Sequence, residues 1–175
     1  GAFWNMISFV GTGLIISKYL AKLKVGVLGR LTGVAVFAAN INVLYLQSTA
    51  MTEPLLLFTM TAGCYYLMRW HDSDEVIELV KAAFWVMLAT LTRYDGWFLL
   101  AFATGLIGIQ VWRKHGLKRV DGVGVLFLTL AALGVVIWLG WNQLIFGDAL
   151  YWALGPFSAH AQQEVMAQAG ALPTK

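Results

Sequence analysis

The sequence predicts an all-α fold, a polytopic membrane helix bundle with about six transmembrane segments. Three observations predict it. Apolar residues make up 59% of the 175 and charged residues 12%, with a mean hydropathy of +0.72, against about 45–50% apolar and about 25% charged in a soluble domain. Eight Trp, six Tyr and ten Phe supply rings that favour the membrane interface. The basic residues, finally, fall in alternate turns between the apolar runs rather than at random.

The whole chain, 1–175, is read as one transmembrane domain. Its apolar segments lie near 3–19, 31–46, 54–70, 76–91, 96–112 and 122–146, followed by a tail over 147–175. A span needs about 20 mostly apolar residues. The second and fourth segments are short by that measure; the sixth, VGVLFLTLAALGVVIWLGW, satisfies it fully. The first contains Gly11-Thr12-Gly13, which lacks the strand-turn-helix setting of a phosphate loop and reads as helix packing. Residue 1 is Gly and no basic leader precedes the first segment, so the chain is expected to be a piece of a longer protein.

Charge sets the orientation. Lys18, Lys22, Lys24 and Arg30 follow the first segment, Arg69 and Lys81 flank the third turn, and Arg113, Lys114, Lys118 and Arg119 follow the fifth segment. Those ten of the twelve basic residues share one face, which the positive-inside rule makes cytoplasmic; Arg93 and Lys175 are left outside. The outer face then carries Glu53, the Arg93-Tyr94-Asp95 cluster, Asp148 and Glu164. The inner HDSDE run reads as a solvated turn with a helix start at Ser73 or Asp74.

Three outer stretches carry the candidate chemistry. In YLQSTAMTEPLLL, Pro54 suits a first helical turn and pushes Glu53 out of the helix, so Glu53 or Thr52 caps a helix starting at Pro54. The segment ahead of it reads as a short, ordered connection, and a carboxylate at membrane depth tends to face a cavity or a partner. In LTRYDGWFLL, two readings of Arg93 stand: a hairpin tip closed by an Arg93–Asp95 ion pair, or a guanidinium that grips an anionic head group by charge-assisted hydrogen bonds. Tyr94 and Trp97 are interface anchors there. In WNQLIFGDALYWALGPFSAHAQQ, Gly147-Asp148 leaves the last segment and Tyr151, Trp152 and Phe157 suit an interfacial stretch.

The remaining polar residues read as structural. His71, His115 and His160 lack paired ligand spacing, so no metal site and no cofactor is indicated. A single cysteine, Cys64, excludes an internal disulfide and reads as packing inside a helix. Asn142 and Gln143 are expected to bond to neighbouring helices.

Taken in order, YLQSTAMTEPLLL, TRYDGWFLL and FGDALYW-x3-PFSAHAQQ resemble the GT-C fold glycosyltransferases, in particular the bacterial relatives of protein O-mannosyltransferase and of the lipid A aminoarabinose transferase. The resemblance covers nearly the whole chain. It implies a larger GT-C type transmembrane domain and transfer of a sugar from a polyprenyl-phosphate carrier to an acceptor (protein, lipid or glycan) at the outer face of a bacterial inner membrane. It places Glu53 at the family's acidic-residue-plus-Pro position as a catalytic carboxylate, Arg93 with Tyr94 and Asp95 beside the carrier phosphate, and Asp148 and Tyr151 in the outer loop near lipid or acceptor. Membrane lipid is an implied partner and nucleic acid is not.

The chain departs from that family in two ways. No acidic residue precedes Glu53, whereas the family's principal carboxylate lies in the first large outer loop; the piece is expected to start downstream of that loop and to be inactive alone. Asn40 and Asn42 also lack a proline between them. The expected mechanism has that principal carboxylate as general base, Arg93 stabilising the leaving phosphate, and Glu53 orienting the acceptor, the base or Arg93. A transporter or flippase for a lipid-linked saccharide is the alternative, but it should hold its charges near the midplane rather than at segment ends.

Overall fold

A computed structural model describes residues 1–155, 158, 161–163 and 166, with side chains omitted at 115, 117–121 and 154. Phe157, His160, Glu164 and Lys175, named above, lie outside the described residues, as do the side chains of His115, Lys118 and Arg119. Every regular element among the described residues is a helix: α1 (Ala2–Lys22), α2 (Val27–Ala38), α3 (Ile41–Ser48), α4 (Glu53–Ser73), α5 (Val76–Thr92), α6 (Asp95–His115), α7 (Leu117–Phe146) and α8 (Tyr151–Leu154). The chain divides into two compact units, Gly1–Gly134 and Val135–Lys175.

Among the described residues, two helices are long and apolar enough to cross a membrane, Asp95–Lys114 and Gly122–Phe146, or three if α2 and α3 count as one span. That pair bends by 60°, so the second expected segment is a broken helix. Asn40 causes the restart: its Oδ1 accepts from the N–H of Asn42 and of Val43 at 3.0 and 3.3 Å and caps α3. The connection expected ahead of Glu53 is therefore mostly helical. α5, with 17 residues, is short for a span. α1 turns Asn5, Ser8 and Thr12 inward at helical spacing, which dilutes its hydropathy. Membrane association rests on the long apolar helices and on outward stripes such as Phe98, Phe102, Leu106, Ile109 and Trp112 of α6.

The core of Gly1–Gly134 sits between α4, α5, α6 and the first half of α7. Trp70, Leu79, Val86, Ile107, Val111 and Phe127 fill it, with Ala82, Ala83, Ala103 and Ala131 letting the helices close up. A second cluster joins α1 to α4 through Ile15, Ala62 and Tyr65, packed by Phe58 and Trp85. Gly11 lies against the Phe58 ring, in keeping with a packing role. Gly96 matters more: a Cβ there would strike the Ala89 carbonyl and the Thr90 nitrogen. Only glycine lets α6 begin this close to the end of α5, and that closeness sets where Asp95 stands.

The α4–α5 junction corrects the expected helix start. α4 runs through Ser73 and ends on Asp74 in the left-handed region (φ 54°), and α5 begins at Val76. Nor is the run merely solvated. Asp72 pairs with Lys22 at 2.9 Å and Asp74 with Lys114 at 3.1 Å, tying the ends of α1, α4 and α6 together. Cys64, expected to be packed, is exposed on α4.

Candidate functional site

The site starts with two helix junctions. α5 ends when Arg93 turns extended (φ −158°, ψ 160°), and two residues later α6 starts at Asp95. The turn is closed by Gly96 N–H donating to the Arg93 carbonyl at 3.0 Å and Trp97 N–H to the Tyr94 carbonyl at 2.9 Å. The Trp97 indole N–H reaches back to the Thr90 carbonyl at 3.2 Å, and its ring meets Tyr94 edge-on at 5.4 Å. Both aromatics thus brace the turn that presents Arg93.

The other junction is the start of α4. Glu53 is its first residue and Pro54 its second, with Thr52 as the N-cap residue making no side-chain cap. The helix begins one residue earlier than the Pro54 start expected. The turn leading to this point is tied to α1: the Asn5 amide, only 3% exposed, donates to the carbonyls of Thr49 and Met51, both at 2.6 Å. Asn5 is a residue the sequence reading missed. Its signal was available, because Asn5, Ser8 and Thr12 recur at spacings of three and four inside an apolar run.

These junctions meet at Arg93. Its Nη1 lies 2.5 Å from Glu53 Oε1 and its Nε 3.0 Å from Asp95 Oδ2. The Arg93–Asp95 pair of the hairpin reading is present, and so is a contact to Glu53, forty residues away in sequence, that spacing did not reveal. The Arg93 and Glu53 side chains are 41% and 37% exposed, so the cluster is open to solvent or to a ligand. Nη2 has no hydrogen bond among the described residues. The cluster holds one cation and two carboxylates, a formal −1. A phosphate that approaches Arg93 must therefore displace a carboxylate or share the guanidinium edge with it.

Asp148 and Tyr151 belong to Val135–Lys175, where both have local structural roles. Asp148 Oδ1 accepts from the Leu150 N–H at 2.9 Å in a side-chain-closed turn after Gly147 (φ 72°). Tyr151 stacks on Phe146 with ring centroids 4.2 Å apart and planes 5° from parallel. Gln143 clamps the same turn, donating to the Gly147 carbonyl and accepting from the Ala149 N–H, both at 3.1 Å. Asn142 donates to Trp138 one turn back in its own helix. The interhelical bonds expected of this Asn-Gln pair are instead intrahelical or within a turn.

A second charged cluster, also missed, lies at the other ends of α4 and α5. The Glu78 carboxylate is 3% exposed; Lys81 Nζ donates to its Oε1 at 2.8 Å, and Arg69 Nε lies 3.2 Å from its Oε2 without hydrogen-bond geometry. The Glu78/Lys81 spacing was legible as a helical pair; burial and the Arg69 contact were not. Among the described residues no group of three His, Cys, Asp or Glu side chains converges to hold a metal. No protein-family model, no curated protein and no solved structure matches this chain.

Proposed function

We propose that this chain is part of a membrane glycosyltransferase that moves a sugar from a polyprenyl-phosphate carrier to an acceptor at the outer face of the membrane, within a six-span portion of a larger GT-C type domain. One observation carries the reading: Glu53 and Asp95, from two helix starts, converge on Arg93 at the end opposite the Lys22, Asp72, Asp74 and Lys114 pairs. In this scheme Arg93 exchanges Glu53 for the carrier phosphate. Guanidinium keeps its charge and offers a planar pair of donors, which suits a phosphate that gains charge as the sugar leaves. Glu53, released, turns to the acceptor. The leaving phosphate then needs no acid, because the cation stabilises it directly.

The exchange predicts opposite effects on binding and turnover. In the full-length protein, Glu53→Gln should bind a polyprenyl-phosphate sugar more tightly, with lower KM, yet turn it over more slowly. Arg93→Ala should lose transfer while keeping helicity and expression. Wild-type turnover by Arg93→Ala sinks the assignment. The alternative, a transporter or flippase for a lipid-linked saccharide, fits less well because the three charges stand at helix ends rather than at mid-helix. Movement of labelled carrier across vesicles without sugar transfer would favour it.

A further inference from the structure

The hairpin of α1 and α2 carries a cleft that the proposed chemistry does not use. Its walls are apolar, with Phe9, Leu14, Leu31, Val34 and Phe37 around a volume of about 300 Å³, at the small end of ligand pockets. Arg30 also lines it. That guanidinium has five donors, yet among the described residues its one hydrogen bond is a long one, 3.4 Å from Nη2 to Ser17 Oγ, and its buried Nε finds no acceptor. A buried donor left without an acceptor is costly, and among the described residues no carboxylate pairs with Arg30; residues 1–52 contain no Asp or Glu at all.

Among the described residues, Arg30 is the one charged residue lining the cleft, and the α1–α2 turn next to it carries no acidic residue of its own. Lys22 is neutralised by Asp72, but Lys18, Lys24 and Arg30 have no ion-pair partner among the described residues. α2 starts just before Arg30, and its N-cap Gly26 offers no side chain to the first-turn N–H groups, so the positive end of that helix faces the same place. Lys24 makes its turn in the left-handed region at φ 60°, where glycine would be unstrained; the turn nevertheless carries a cation. The larger cleft beside α4 and α6, about 510 Å³, differs in this respect. Its Lys114 is tied to Asp74, which brings a carboxylate to that cleft beside the Arg113 that also lines it.

We propose that the α1–α2 cleft binds one anionic phospholipid, with an acyl chain along the Phe9–Phe37 walls and its phosphate on Arg30. An apolar slot that ends in an unsatisfied guanidinium matches an amphiphile with an acceptor-rich head. Bidentate N–H donation to phosphate oxygens would satisfy Nε and an Nη together, and basic pockets between membrane helices are a known form of head-group recognition. The site is independent of the role assigned to Arg93.

Native mass spectrometry of the full-length protein in detergent tests this, with phosphatidylglycerol and phosphatidylcholine of identical chains as probes. Phosphatidylglycerol should be retained preferentially, and Arg30→Gln should weaken that retention roughly tenfold. Gly13→Leu projects into the cleft from a position where a Cβ meets only Val34 at 3.7 Å; it should lose the lipid with helicity unchanged. Should Arg30→Gln fail to fold, Arg30→Lys decides, because it keeps the charge and loses the fork: weakened retention supports the site. Equal retention of both lipids, undiminished phosphatidylglycerol binding in Arg30→Gln or in Gly13→Leu, or displacement by millimolar inorganic phosphate alone would each overturn the proposal.

Discussion

Arg93 Nη1 stands 2.5 Å from Glu53 Oε1, so the residue that ends α5 holds the residue that begins α4. Both side chains are more than a third exposed, and exposed pairs are typically worth about 0.2–1 kcal/mol. The contact is too weak to explain itself as a fold determinant. A double-mutant cycle on Glu53→Gln and Arg93→Gln should give a coupling of about 0.2–1 kcal/mol in unfolding experiments. The charge-reversed pair, Glu53→Arg with Arg93→Glu, should recover that stability but not sugar transfer. Recovery of transfer would mean the two residues serve only as a clamp.

Asn5 is the stronger determinant of where Glu53 stands. Its amide satisfies two carbonyls of the α3–α4 turn and is nearly inaccessible to water. Asn5→Ala leaves the Thr49 and Met51 carbonyls without their donor and should cost about 1–3 kcal/mol. The loss should be local as well as global. Hydrogen exchange at Thr49 and Leu56, whose N–H groups bond to the Leu46 and Thr52 carbonyls on either side of the turn, should accelerate ahead of α1 itself, and uniform protection across α1 and the turn would show that Asn5 does not pin it.

The helices were legible because their signals are local. Apolar run length found α1, α4, α5, α6 and α7, and Pro54 marked the start of α4 to within a residue. The break at Asn40 was not legible, because an Asn cap looks the same whether it restarts a helix or decorates a loop. At the candidate site, Arg93–Asp95 was readable from two-residue spacing. Arg93–Glu53 was not, since it depends on Gly96 admitting α6 against α5 and on α4 running back alongside. Asp148 and Tyr151 were singled out through the resemblance of the FGDALYW stretch, which does not reveal that the carboxylate is already used by the Leu150 N–H.

Asp72 offers a test by pH. The Lys22 ammonium hydrogen-bonds to its carboxylate and holds its pKa below the usual carboxylate value against an opposing desolvation, with lesser help from the charges of Lys22, His71 and Lys114. A folded-state pKa lower than the unfolded one favours the folded state at high pH. The contribution is complete above the ordinary carboxylate value of about 4 and disappears as pH falls through the folded value. The side chain is more than half exposed, which keeps the effect small. A carboxyl-carbon NMR titration should show Asp72 moving to a higher midpoint in Lys22→Met; an unchanged midpoint would show that the pair does not persist in solution.

Glu78 should matter more to stability than either cation beside it. Its carboxylate is 3% exposed, whereas the Arg69 and Lys81 side chains beside it are 43% and 42% exposed. The asymmetry decides the outcome. Removing a cation leaves the other to compensate the buried charge, and the lost cation's own site is largely solvated. Removing the carboxylate charge leaves two cations facing each other across a buried amide, with the Lys81 ammonium still 5.6 Å from the centre of the Tyr66 ring. Glu78→Gln should therefore lower the unfolding free energy by about 1–2 kcal/mol. That is below the range for a broken pair that strands a buried charge, because the two cations left behind stay in contact with water. Arg69→Met or Lys81→Met alone should cost about 1 kcal/mol, nearer the exposed-pair range. Chemical denaturation in detergent separates the two cases. A Glu78→Gln midpoint equal to wild type would mean that burial of this carboxylate is balanced by packing alone, and the salt bridges would then contribute nothing net.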